Sequence, residues 1–105
     1  MSAEQIFYLE VGHKITESVE SQMFGKPCFK INGKAFMSFF NNRIVFKLTG
    51  EKHEEALCLD GSEMFDPSGK NKPMKEWVQV SFNDANRWYE FASDAFEYVK
   101  SQTKQ

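Results

Sequence analysis

The sequence is poor in the residues from which catalytic and metal centres are assembled. It holds two His and two Cys in 105 residues. Cys28 and Cys58 lie thirty positions apart with no CxxC spacing, so a structural zinc site is hard to assemble. The phosphate-binding pattern GxxxxGK[ST], the dinucleotide pattern GxGxxG and the nucleophile elbow GxSxG are all missing. His53-Glu54-Glu55 is not the zinc motif HExxH, because position 57 is Leu. The chain therefore reads as a non-enzyme, with no catalytic residue, metal, cofactor or small-molecule substrate assigned. One enzymatic opening stays on the table, a Cys-His pair drawn from Cys28 or Cys58 with His13 or His53, since Lys26 and Lys30 flank Cys28.

No apolar run approaches the roughly 18 residues that a membrane-spanning helix needs. The opening Met-Ser-Ala-Glu-Gln lacks a basic segment followed by an apolar one, and Ser at position 2 excludes myristoylation. These absences predict a cytoplasmic protein with no membrane partner. In that reducing compartment the two cysteines, each with apolar neighbours, read as buried free thiols.

What the chain does have is enough to fold. It is 41% hydrophobic and 27% charged, with 11 Phe, 3 Tyr and 2 Trp, too apolar for disorder and of a length that fits one domain, 1–105. The net charge of −2 is unevenly spread. Residues 26–50 carry Lys26, Lys30, Lys34, Arg43 and Lys47 and no acid, between two acidic flanks. The acidic run at 51–55 reads as the solvated face of a short helix, and both His as solvated helix-surface residues.

Ser2 through Gln5 fits a capping box opening a helix over 3–17 that presents Ile6, Phe7, Val11 and Ile15, with Gly12 as a weak point. A short strand follows at Val19 to Phe24. Three apolar-rich runs, Cys28–Asn32, Ala35–Phe40 and Arg43–Leu48, are separated by Asn32-Gly33 and Asn41-Asn42. Those dipeptides suit the positive φ angles of two-residue hairpin turns, so the runs predict a three-stranded antiparallel meander. A second short helix over 51–59, an irregular loop over 62–76 with a turn at Asp66-Pro67-Ser68-Gly69, and a fourth strand at Trp77–Val80 follow. The last element is an amphipathic helix with Ala85, Trp88, Phe91, Ala92, Ala95, Phe96 and Val99 on one side, capped by Ser81 or Asn83.

Two-residue turns fix the pairing. Ile31 opposes Lys34 and Phe29 opposes Phe36; Phe40, Phe39 and Met37 oppose Arg43, Ile44 and Phe46. Opposed residues share a face. One face then carries Ala35, Met37, Phe39, Ile44, Phe46 and Leu48 and must be core. The other mixes Phe29, Ile31, Phe36, Phe40 and Val45 with Lys34, Ser38, Arg43 and Lys47. Rings interleaved with cations are what a single-strand nucleic-acid binder uses, and Phe29, Lys34, Phe36, Phe40, Arg43 and Lys47 form the candidate interaction surface. Two alternatives remain open: the terminal helices cover these rings, or the face buries itself against a second copy.

From Met23 onward the chain resembles the TfoX N-terminal domain family and the related YjbR-like proteins. The similarity lies in Met23-Phe24-Gly25, the strand-turn-strand Cys28 to Phe36, Val45-Phe46-Lys47-Leu48, Phe65-Asp66-Pro67-Ser68-Gly69, Met74 to Val80, and the Trp88…Ala92…Ala95 helix. The order and spacing of these motifs carry the likeness over about 80 residues. The resemblance implies an α+β fold with an antiparallel meander flanked by N-terminal and C-terminal helices, a regulatory role tied to competence, and, through the YjbR-like relatives, DNA association. It supplies no catalytic residues. The chain thus reads as a stand-alone regulatory or interaction domain, its partner either nucleic acid or protein, a second copy included.

Overall fold

The computed structural model describes residues 2–23, 25–66 and 74–103. Ser2 caps the first helix, α1 (Ala3–His13), by accepting the Gln5 amide at 3.1 Å. The helix ends four residues earlier than its apolar spacing suggests. The Ser18 hydroxyl donates to the carbonyls of Gly12 (3.0 Å) and Ile15 (2.8 Å), which satisfies helix-end acceptors and turns the chain into the sheet.

Strands β1 (Val19–Met23), β2 (Lys26–Ile31), β3 (Lys34–Phe40) and β4 (Arg43–Lys47) form an antiparallel meander. The end of β1 at Phe24 lies outside the described residues. Both predicted hairpin turns are present, with φ of 53° and 80° at Asn32 and Gly33 and 51° and 60° at Asn41 and Asn42. Helix α2 (Gly50–Leu57) crosses to β5 (Glu63–Phe65) and β6 (Met74–Val80), and a 3₁₀ segment (Phe82–Arg87) leads into α3 (Trp88–Thr103). The six strands stand in the order β1-β2-β3-β4-β6-β5, all pairs antiparallel. The predicted α+β architecture holds, with six strands in place of the five read from the sequence: the short strand at Val19, the three-stranded meander and the strand at Trp77–Val80. The extra strand β5 and the first half of β6 occupy what reads in the sequence as an irregular loop, whose Asp66–Gly69 turn falls outside the described residues beyond Asp66.

The pairing across the second turn is as the sequence predicts. Across the first it is not. Ile31 opposes Lys34, but Phe29 opposes Met37, because Phe36 is an extra residue in β3. This β-bulge lets Phe36 and Met37 both point to the same side. Phe29, Ile31 and Phe36 therefore join Met37, Ile44, Phe46, Leu48, Val78 and Val80 in the main core, while Ala35 moves to the opposite face.

All three helices pack on this one face. Tyr8 and Val11 of α1, Ala56 of α2, and Trp88, Phe91, Ala92, Ala95 and Val99 of α3 complete the core. Phe36 meets Phe96 edge-on at 5.4 Å, and the Tyr8 ring lies 5.4 Å from Phe29 and 5.2 Å from Phe39. Gly12 is the point of closest approach between α1 and β2, for a β-carbon there would lie 2.2 Å from two ring carbons of Phe29. The glycine that weakens the helix is what lets the helix dock.

Candidate functional site

With the three described α-helices on one side, the other face of the sheet carries no described helix. Its middle row, Cys28, Ser38, Val45 and Gln79, is buried, and the Ser38 hydroxyl donates to the Pro27 carbonyl at 2.7 Å. Val45, Phe65 and Trp77 form a second, smaller core joined by Met23, Ala35, Phe40 and Met74. Phe40 and Phe65 have ring centroids 5.3 Å apart. In a flat sheet β3 and β5 would stand three strand steps, about 14 Å, apart. The contact therefore requires the sheet to curl toward this face, bringing the β5 end over β4 and β6.

The six residues of the candidate surface fall into three groups. Phe29 (1% exposed) and Phe36 (0%) lie beneath the helices, a correction to their predicted face that follows from the bulge. Phe40 stays on the helix-free face but is half-buried, with Phe65 at its edge and the Lys26 ammonium 4.9 Å from its ring centre. Of the cations, Lys34 is exposed at the first hairpin turn. Arg43 pairs with Glu63 at 3.6 Å, and Lys47 with Glu76 at 4.0 Å. The electropositive segment is thus partly neutralised by carboxylates that arrive from β5 and β6, far along the chain. On the helix-free face no stacking platform of neighbouring open rings is left among the described residues, since Phe65 and Trp77 are buried and Phe40 is half-buried.

Several of the remaining titratable groups hold elements together. His13 contacts the Glu20 carboxylate at 3.1 Å, and the His53 Nε2–H donates to the Lys75 carbonyl at 2.6 Å, tying α2 to β6. Tyr98 hydrogen-bonds the Glu76 carboxylate, which raises its pKa, and accepts from the Gln102 amide. Arg87 bridges Glu55 and Glu90, and Lys52 reaches Glu90 (3.3 Å), Glu55 and Asp94 (both 3.7 Å), joining α2 to α3. Hydrogen bonds from Arg87 hold the Glu90 carboxyl below its ordinary range, whereas burial pushes Asp94 up against the pull of Lys52.

Both cysteines are free. Cys28 is buried as predicted, and burial pushes its thiol up against the pull of Lys30. Such a thiol stays protonated and is a poor nucleophile. Cys58 is exposed, contrary to its apolar neighbours, because it stands at the C-cap of α2 where the chain leaves the core. Among the described residues no three His, Cys, Asp or Glu side chains are grouped to hold a metal ion, and no helix is long and apolar enough to cross a membrane.

One feature of the surface is invisible to a search for motifs. Strand β1 stands at the end of the strand order, paired with β2 along all five residues and with no described strand on its outer edge. Among the described residues Val19 is the most exposed large hydrophobic side chain, at 63%. The opposite edge, β5, is only three residues long and interrupted by a bulge between Met64 and Phe65. Compared with known proteins, the chain matches no family model, no curated sequence and no solved structure.

Proposed function

We propose that this chain is a TfoX N-terminal-like regulatory domain of the cytoplasm that acts through protein–protein contact, without catalysis. The family reading rests on the ordered motifs from Met23 to Ala95, and an antiparallel meander between terminal helices is compatible with it. The contact class is carried by one observation. The rings of the candidate surface, Phe29, Phe36 and Phe40, are spent in or against the two cores, while a regular edge strand is left open beside an exposed Val19. Exposed strand edges are ready templates for another chain.

Titration of fluorescently labelled single-stranded and duplex oligonucleotides at low salt tests this choice. The proposal expects no binding that weakens with salt and depends on Arg43 and Lys47. Salt-sensitive binding abolished by Arg43→Glu with Lys47→Glu would overturn it in favour of a nucleic-acid module.

A further inference from the structure

Edge strands in soluble proteins are commonly blunted by lysine, proline, a bulge or short length. β5 uses two of these devices; β1, Val-Glu-Ser-Gln-Met, has none of the four, and its single charge is Glu20. Resting on the protein-contact reading above, we infer that the partner of this edge is a second copy of the same chain, its β1 pairing antiparallel with this one about a two-fold axis at Ser21.

The sequence of the strand is complementary to itself in that register. Val19 opposes Met23 of the second copy, Glu20 opposes Gln22, and Ser21 opposes Ser21. The pairing of β1 with β2 puts Val19, Ser21 and Met23 on the helix-free face and Glu20 and Gln22 on the helix side. Apolar side chains thus meet apolar ones on one face, and a carboxylate meets an amide donor on the other. Sliding the strands by two residues in one direction sets Glu20 against Glu20, a like-charge pair that disfavours pairing. Sliding by one residue joins a helix-covered face to a helix-free one and breaks the continuity of the sheet.

Space permits the pairing. α1 lies over β2 and β3, where Gly12 meets Phe29 and Tyr8 meets Phe39. The two α1 helices would then be separated by about three strand steps, roughly 14 Å, beyond the 8–10 Å of direct helix packing. A five-residue strand pair is small beside a stable dimer interface, so the association is weak and concentration-dependent.

The test is molar mass by light scattering from micromolar to millimolar chain, for the wild type, Gln22→Lys and Gln22→Glu. Gln22 is exposed, so both variants leave the fold intact, which circular dichroism checks. The wild-type mass is expected to climb from one chain toward two. Gln22→Lys places a cation opposite Glu20 twice across the axis and tightens the dimer about 2- to 30-fold, while Gln22→Glu loosens it by a similar factor. A single-chain mass throughout for wild type and Gln22→Lys, or a dimer indifferent to both substitutions, overturns the inference. Either failure is separate from that of the protein-contact reading, which falls only to the oligonucleotide result.

Discussion

Replacing Gly12 by Ala separates the observed register from the one the turn rules alone predict. Alanine in mid-helix is favoured over glycine by about 1 kcal/mol. If the first hairpin ran without a bulge, Phe29 would point away from α1 and Gly12→Ala would stabilise the protein by that amount. In the structure the added β-carbon would sit 2.2 Å from Cε1 and Cζ of Phe29, against ordinary contacts of 3.4–4 Å. The ring would have to retreat by on the order of 1 Å into a close-packed interior. It has nowhere to go, being 1% exposed and held between the Tyr8 ring at 5.4 Å and the His13 ring at 5.5 Å. Overpacking of this kind costs about 1–3 kcal/mol. The upper part of that range applies here, leaving a net loss of about 1–2 kcal/mol after the helix gain and a fall in Tm of about 5–15 °C. Thermal unfolding followed by circular dichroism gives the answer. The double variant Gly12→Ala with Phe29→Leu is expected to lose less than the two single losses combined, since the truncated side chain makes room. A Tm for Gly12→Ala equal to or above the wild type would refute both the docking geometry and the bulge.

Other perturbations probe other parts of the molecule. The Tyr8 hydroxyl is buried with no hydrogen-bond partner among the described residues, so Tyr8→Phe is expected to raise stability by about 1–2 kcal/mol in denaturant titration, and a loss would contradict this. Burial raises the Asp94 pKa in the folded state above its unfolded value, so its ionised form opposes folding at neutral pH and ceases to do so as pH falls through the folded pKa. Asp94→Asn should therefore be more stable than wild type at pH 7, with the advantage vanishing in acid; Lys52 keeps Glu90 and Glu55 as partners. An advantage that grows on acidification would reverse the assigned sign. In thiol titration of the folded protein Cys58 should react promptly and Cys28 only after unfolding, and two prompt thiols or none would disprove the burial pattern.

The elements most legible in the sequence are those whose signal is local. Asn32-Gly33 and Asn41-Asn42 announce their turns because the backbone conformation they need is costly for most other residues. The period of Trp88, Phe91, Ala92, Ala95 and Val99 announces α3, because a helix must place them on one stripe. The bulge is different, since it depends on Phe36 and Met37 both gaining burial against helices that lie far away in the chain. Without it, Phe29 and Phe36 read as surface rings. Likewise β5 is too short to show a strand period, and the curl that brings Phe65 to Phe40 belongs to the whole sheet. The basic segment reads as open charge because Glu63 and Glu76, which neutralise Arg43 and Lys47, come from later strands. The open edge of β1 has no motif; its signal would have been a five-residue strand at the start of a meander with no lysine or proline to guard it.

Amide hydrogen exchange of residues 19–23 at low and high protein concentration is the most direct measurement of whether this edge is the working surface. Fast exchange of the outward-pointing β1 amides is expected in dilute solution and marked protection at high concentration, with β5 unchanged. Exchange at β1 that is the same at both concentrations would contradict it.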